Sequence, residues 1–171
     1  MGYAYERVLL AVQRHTHPFP AELEEYVMRY SQEYNIPPEI ILSVIRAESS
    51  FRSSVVSHAG AVGLMQIMPT TFEDLTSRTG GHHEHGMLFD PATNIRYGTF
   101  YLRYLFDMFG DWDLTFAAYN AGLGRVRGWM ADSEIVQDGE LIIAAIPIEE
   151  TRNYVTRVNR NIEMYRKLYF P

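Results

Sequence analysis

The sequence predicts a mainly α-helical protein that folds as a single domain. Apolar residues recur at helical spacing in several separate segments, and proline, glycine and asparagine residues lie between those segments. Signals for β-strands are weak throughout, and neither an internal repeat nor a linker divides the chain. With 171 residues and 47% hydrophobic content, the chain is long enough to bury a sizeable core.

Two helices are predicted in the first part of the domain. The first follows Pro20 and is broken at Asn35. Its apolar face consists of Leu23, Tyr26, Val27, Tyr30 and Tyr34. Pro37 and Pro38 start the second helix, because the first turn of a helix does not need the amide proton that proline lacks. This second helix carries Glu48 near its C-terminal end.

The middle of the chain is predicted as a turn region, a helix and a loop. Gly60 and Gly63 mark the turn region, and Pro69 begins the helix. The stretch 77–88 is polar and contains three histidines, so it is predicted to be a loop. Asp90-Pro91 then starts a long helix that Gly110 ends. The apolar stripe of this long helix consists of Ile95, Gly98, Leu102, Leu105 and Phe109.

Two further helices complete the prediction. Asp111 or Asp113 caps the first of them, which places Tyr119 and Asn120 at its end. The second is the C-terminal helix, and its core face consists of Tyr154, Val155, Val158, Ile162 and Tyr165.

The composition excludes several functions. The formal net charge is -6 and no segment is rich in lysine or arginine, which argues against a nucleic-acid partner. The chain has no cysteine, so disulfides, thiolate zinc sites and thiol catalysis are excluded. The twelve tyrosines, nine phenylalanines and two tryptophans suit a neutral glycan better than a charged polymer.

Glu48 is the most informative residue. Ile41, Val44, Ile45 and Glu48 lie on one face of the second predicted helix, so this carboxyl group ends an apolar stripe. Loss of water disfavours the charged form and keeps such a group protonated near neutral pH, as a general acid must be. The alternative for a single glutamate is a helix-terminal residue that faces solvent.

Four segments in order, 45–51, 56–69, 117–122 and 147–155, carry a family resemblance. Together they resemble the transglycosylase domain of the soluble lytic transglycosylase (SLT) type, glycoside hydrolase family 23, in the lysozyme-like superfamily. The resemblance covers about residues 22–166. It implies a lysozyme-like fold with little or no strand.

The resemblance also implies the reaction. Most glycosidases use two carboxylates, but in this family a single glutamate first protonates the glycosidic oxygen and then takes the proton of the C6 hydroxyl of the same sugar. That hydroxyl attacks C1, and the N-acetyl group stabilises the positive centre. Glu48 takes this role. The expected substrate is the glycan strand of peptidoglycan. Cleavage of its MurNAc-β-1,4-GlcNAc bonds is expected to leave 1,6-anhydro-MurNAc ends and to need no cofactor.

Three supporting residues come from the second segment. Ser57 matches the family serine that hydrogen-bonds the catalytic carboxylate, and Gln66 matches a residue that contacts the sugar. Met68 is placed on the cleft floor. The alternatives are a turn-capping serine for Ser57 and a surface glutamine for Gln66.

Three more supporting residues come from the third and fourth segments. Tyr119 matches a tyrosine close to the reacting sugar, where its ring packs on a pyranose and its hydroxyl bonds a substituent. Asn120 follows it as in the family, and Glu150 matches a glutamate that lines the cleft. A core tyrosine is the alternative for Tyr119, and a charge at a helix N-terminus for Glu150. Because Glu149 directly precedes Glu150, the sequence leaves open which of the two glutamates matches the family residue.

Two other functions remain as alternatives. One is a goose-type lysozyme-like hydrolase, for which Glu73, Asp74 or Asp90 are the acids available to position water. The other is a noncatalytic peptidoglycan-binding module. No metal is expected, because the histidines of the predicted loop do not form a ligand pattern, although three of them lie beside Glu84. Those three are His82, His83 and His85.

The family resemblance places the substrate outside the cytoplasm. We therefore expect an extracytoplasmic protein, in the cell envelope or secreted, whose signal or membrane anchor has been removed. Residues 1–19 are expected to be a leader segment next to it, and residues 20–171 to form the transglycosylase domain. A monomer is expected.

Overall fold

The computed structural model describes residues 2–82 and 84–171, with side chains from residue 8 onward except that of residue 85. These residues form eight α-helices and one two-stranded antiparallel sheet, which confirms the mainly α prediction. The helices are α1 (Gly2–Thr16), α2 (Ala21–Tyr34), α3 (Pro38–Ser49), α4 (Pro69–Thr79), α5 (Pro91–Phe109), α6 (Trp112–Ala121), α7 (Leu123–Trp129) and α8 (Glu149–Tyr169). The strands are β1 (Val136–Gln137) and β2 (Glu140–Leu141). No helix in the described part is both long and apolar enough to cross a membrane.

The predicted helix caps form hydrogen bonds. Asp90 accepts from the Thr93 amide at 2.8 Å. Asp111, and not Asp113, caps α6, because its carboxylate accepts from the Leu114 amide at 2.7 Å. Asp113 instead accepts from the Asn159 side chain at 2.6 Å, which links α6 to α8.

The predicted loop at 77–88 is shorter than expected. Helix α4 continues to Thr79, and His85–Phe89 forms a 3-10 helix. Helix α7 and the hairpin of β1 and β2 were not predicted, since each is too short for a periodic pattern. The hairpin turn is formed by Asp138 and Gly139, both with positive φ (53° and 85°), as a two-residue turn of this kind requires.

Helix α3 lies in the core and contacts α2 and α8. It is buried over most of its length, as is usual for a helix surrounded by protein. Its fully buried apolar residues are Ile40, Ile41, Leu42, Val44 and Ile45, each at most 3% exposed. The buried surface is therefore wider than the apolar face inferred from the sequence. The last turn of the helix carries Glu48, which lines a cavity.

The turn region between α3 and α4 is held by one buried side chain. Asn94 of α5 accepts from the Met65 amide at 2.7 Å and donates to the carbonyls of Val62 and Leu88 at 2.9 and 2.8 Å. The oxygen and the nitrogen of its side chain are therefore both hydrogen-bonded to backbone groups. Gly98 permits the close approach of α5 to the turn region, since a Cβ at this position would lie 2.3 Å from Met65 Sδ.

Candidate active site

Glu48 lines a cavity of about 240 Å³ that opens between α3, the turn region, α6 and α8. All seven site residues inferred from the sequence line this cavity: Glu48, Ser57, Gln66, Met68, Tyr119, Asn120 and Glu150. A second cavity of about 220 Å³ shares four of them, Gln66, Met68, Tyr119 and Asn120, and extends to Thr71 and Tyr101. The two cavities therefore form one cleft with Glu48 at one end.

Burial dominates the electrostatics of Glu48. Desolvation raises its pKa from 4.5 to about 7, and the negative charge of Glu150 acts in the same direction. The Tyr154 hydroxyl and the Arg157 guanidinium oppose this by stabilising the carboxylate. Glu48 is thus poised to be neutral or charged near pH 7, which agrees with its place at the end of the apolar stripe.

Tyr154 is a site residue that the sequence reasoning assigned only to the core. It is 1% exposed, and its hydroxyl has no partner of normal hydrogen-bond geometry among the described residues. This hydroxyl nevertheless lies close enough to Glu48 to lower its pKa. The signal that was available is its position in the fourth segment, four residues after Glu150.

Ser57 has its hydroxyl proton available. Its Oγ accepts from the Ala61 amide at 3.0 Å, and its amide donates to the Ala61 carbonyl at 2.9 Å. It therefore caps a turn and also lines the cavity of Glu48, so the two readings of this serine are compatible. The proton of the hydroxyl remains free to be donated into that cavity.

Gln66 presents an oxygen to the cleft. Its Nε2 donates to the carbonyls of Val55 and Gly63 at 3.1 and 2.9 Å. Because both neighbours are acceptors, the nitrogen must face them and Oε1 must face the cleft. Gln66 therefore offers an acceptor for a hydroxyl, although the residue type permits both roles.

Tyr119 is committed to the turn region through its hydroxyl. The hydroxyl donates to the Met65 carbonyl at 2.8 Å. Burial and the nearby Glu48 carboxyl group raise the pKa of Tyr119 well above normal, so it stays neutral. Its proton is unavailable to a substrate, whereas its ring and one lone pair remain available in the cleft.

Glu150 and Glu149 are distinguished by the structure. Both lie in the first turn of α8, but only Glu150 lines the cavity. Met68, 37% exposed, lines both cavities. The acids considered for a hydrolase, Glu73, Asp74 and Asp90, do not line either of them.

The predicted loop contributes no metal site in the part that is described. His82 and Glu84 form an exposed pair at 3.1 Å. His83 lies outside the described residues, as does the side chain of His85. No cluster of three or more histidine, aspartate or glutamate residues suited to a metal occurs in the described ranges.

A family model for the transglycosylase SLT domain matches residues 25–142. The chain belongs to this family. The match includes six of the seven site residues inferred from the sequence and ends before the seventh, Glu150. The SLT domain is thus identified over the first three of the four segments that build the cleft.

The SLT domain is similar to several characterised proteins. It is 39% identical over 151 residues to the soluble lytic murein transglycosylase of Escherichia coli K12, which covers 86% of this chain and 23% of that protein. The crystal structure of the 70-kDa soluble lytic transglycosylase from Escherichia coli matches with a TM-score of 0.82 and 36% identity, over 91% of this chain and 25% of that chain. This match confirms the lysozyme-like fold. The chain spans about a quarter of the length of these relatives.

A second solved structure is informative about one residue type. The lytic transglycosylase Slt of Pseudomonas aeruginosa matches with a TM-score of 0.80 and 34% identity, over 91% of this chain and 25% of that chain. That structure is of an inactive mutant in which a glutamate is replaced by glutamine.

Proposed function

We propose that this SLT domain is a peptidoglycan lytic transglycosylase that cleaves the MurNAc-β-1,4-GlcNAc bond and leaves a 1,6-anhydro-MurNAc end. The observation that carries the proposal is the burial of Glu48, with a pKa near 7, in a cleft lined by Ser57, Gln66, Tyr119 and Asn120. Family membership and the murein activity named for the Escherichia coli relative support the same reaction.

In the first step, neutral Glu48 donates its proton to the glycosidic oxygen. The bond from C1 of MurNAc to this oxygen breaks, and GlcNAc leaves with a hydroxyl at C4. Tyr154, and Arg157 at longer range, stabilise the Glu48 carboxylate that forms, and Ser57 has a hydroxyl proton to donate to it. The positive centre at C1 is stabilised by the N-acetyl group, as the family resemblance implies.

In the second step, the Glu48 carboxylate accepts the proton of the C6 hydroxyl of the same MurNAc. O6 then bonds to C1 and closes the anhydro ring, so Glu48 regains its proton and no water is consumed. A single residue that must be acid and then base needs a pKa near the working pH, since both protonation states are used in turn. Glu48 meets this condition.

One observation favours a second candidate, a lysozyme-like hydrolase. Glu150 is a second carboxylate on the same cavity, close enough to raise the pKa of Glu48. In a hydrolase this group positions a water molecule. In the transglycosylase it binds a sugar hydroxyl or orders the cleft.

Mass spectrometry of the products of purified peptidoglycan tests the proposal. Products lighter by one water than lysozyme products, absent with Glu48→Gln and retained with Glu149→Gln, are expected. Glu149 is the matched control because it is an exposed glutamate one residue from the cleft. Reducing-end products support the hydrolase. No release by a folded protein supports a noncatalytic binding module.

The proposed substrate fixes the remaining assignments. A domain that acts on peptidoglycan strands works outside the cytoplasm, in the cell envelope or secreted. We propose that it acts as a monomer without a cofactor, that a leader precedes the domain and that residues 20–171 carry the activity.

A further inference from the structure

The side chain of Asn120 is held from behind by a buried residue of α8. Thr151 is 1% exposed, and its Oγ1 donates to Asn120 Oδ1 at 2.8 Å. Asn120 lies at the end of α6 and lines both cavities of the cleft. The hydrogen bond therefore joins a cleft residue to the helix that contributes Glu150 to the same cavity.

In the structure this hydrogen bond engages the oxygen of the amide. An asparagine side chain has one acceptor oxygen and one donor nitrogen, and the two differ little in shape. Because the oxygen is bonded to Thr151, Nδ2 remains as the free group, and no described residue accepts from it. In this orientation Asn120 presents a donor to the cleft, opposite in polarity to the acceptor that Gln66 presents.

We propose that Thr151 is a specificity-determining positioning residue that orients the Asn120 amide to donate to a carbonyl oxygen of the substrate. This inference rests on the proposed function, in which the glycan carries an acetamido carbonyl on every sugar. A carbonyl oxygen can only accept, so it distinguishes the two orientations of the amide, whereas a hydroxyl accommodates both. Without Thr151 the amide rotates freely and presents the wrong end part of the time.

The location of Thr151 on α8 explains why the arrangement is rigid. Thr151 is the third residue of the helix, directly after Glu150 of the cavity. Tyr154, three residues further and on the same buried face, faces Glu48. A single turn of α8 therefore carries both the hydroxyl that bonds Asn120 and the hydroxyl that lowers the pKa of Glu48.

The test compares Thr151→Val, Thr151→Ser and the matched control Thr156→Val. Valine keeps the shape of threonine and removes the donor, while serine keeps the donor. Thr156 is an exposed threonine of α8 whose hydroxyl donates only to the Arg152 carbonyl of its own helix. With soluble peptidoglycan strands, Thr151→Val is expected to raise KM about five- to tenfold with little change in kcat, the effect of one lost hydrogen bond. Serine and the control are expected to keep KM within about twofold.

A double-mutant cycle separates positioning from a structural effect. Asn120→Ala removes the group through which Thr151 acts, so Thr151→Val is expected to have no further effect on KM in that background. Thermal melting of each variant is measured alongside. An equal effect of Thr151→Val with and without Asn120, or a lower melting temperature with unchanged KM, overturns the proposal.

The failure of this inference is distinguishable from failure of the proposed function. If the wild-type protein releases no anhydro products, the proposed function is wrong. If the wild type is active and Thr151→Val matches it in KM, only the role of Thr151 is wrong.

Discussion

The pKa of Glu48 is set by burial and by neighbouring groups that act in opposite directions. Burial and Glu150 raise its pKa, whereas Tyr154 and Arg157 lower it. The resulting value of about 7 is a balance, so removal of each neighbour moves it in a defined direction. Glu48 is therefore best tested through its neighbours, which change its proton affinity and leave the residue in place.

The pH dependence of kcat/KM is expected to report this balance. The reaction starts from protonated Glu48, so wild-type activity falls as the pH rises above about 7. Tyr154→Phe removes a group that stabilises the carboxylate, which raises the pKa and moves the alkaline limb to higher pH. Glu150→Gln removes a negative charge, which lowers the pKa and moves that limb to lower pH.

The measurement is a set of normalised pH profiles with soluble glycan strands. Glu149→Gln is the control for the loss of one nearby negative charge outside the cavity. Profiles of Tyr154→Phe and Glu150→Gln that shift in the same direction contradict this account of Glu48.

The stability of the protein is expected to carry the same signature. The native pKa of Glu48 is about 7 and its ordinary value is 4.5, so the native state binds this proton more tightly than the unfolded state does. Ionisation of Glu48 therefore has no effect on the free energy of unfolding below about pH 4.5, and it lowers that free energy by the full amount above about pH 7. Such a difference corresponds to roughly 3 kcal/mol.

Glu48→Gln cannot ionise and avoids that cost. Chemical denaturation is expected to show the variant and the wild type as equally stable near pH 4, with the variant more stable by about 2–3 kcal/mol at pH 8. A gap that does not grow with pH contradicts the assigned burial of the carboxyl group.

The sequence predicts the local environment of a site residue more readily than the distant neighbours that orient its side chain. The place of Glu48 on an apolar stripe predicts its desolvation, because helical periodicity is local. The free oxygen of Gln66 and the free nitrogen of Asn120 depend on Val55 and Thr151, which are distant in sequence from them. Such orientations follow only from the packing of the elements.

Among the elements, those with capping residues and long apolar stripes were predicted well. Helix α5 begins at the Asp90 cap and ends at Gly110, as expected. Helix α7 and the β-hairpin were missed because seven and two residues per element are too few for a period to be recognised. The contact of α3 with α8 sets Tyr154 beside Glu48, and no local pattern indicates a helix crossing.

The turn region depends on a side chain of α5, and this dependence is testable. Asn94→Asp keeps the acceptor for the Met65 amide but replaces the donor to Val62 and Leu88 with an oxygen. Two buried carbonyls then lose their partners, so the free energy of unfolding is expected to fall by about 3 kcal/mol or more. The turn also carries Gln66, so kcat/KM is expected to fall at temperatures far below melting.

Chemical denaturation and steady-state kinetics measure the two effects. Asn153→Asp, an exposed asparagine of α8, is the matched control and is expected to change stability by no more than about 0.5 kcal/mol. An Asn94→Asp protein with normal stability would show that other contacts hold the turn.

For the whole molecule, packing bears on the proposed leader, which the sequence places at residues 1–19. Helix α1 lies against α8, where Arg14 donates to the Leu168 carbonyl at 3.1 Å and its guanidinium lies over the Tyr169 ring. The described side chains Val8 and Val12 of α1 are exposed, at 63% and 55%. The segment after α1 makes firmer contacts, which places the leader boundary that we propose before His17.

Two truncations are expected to locate that boundary. Tyr169 donates to the His17 carbonyl at 2.9 Å, and Tyr165 donates to the Pro18 carbonyl at 3.0 Å. Phe19 packs edge-on against Tyr169 at 5.8 Å.

Removal of residues 1–16 keeps these contacts, whereas removal of residues 1–19 breaks them and exposes the aromatic rings. The longer truncation is therefore expected to be less stable than the shorter one by about 3 kcal/mol, from two hydrogen bonds and one partly buried aromatic side chain. Chemical denaturation of both proteins measures the difference. Because the cleft is lined by the first turn of α8 and α1 contacts the last turn, the shorter protein is expected to keep full activity. Equal stability of the two proteins would place the boundary after Phe19.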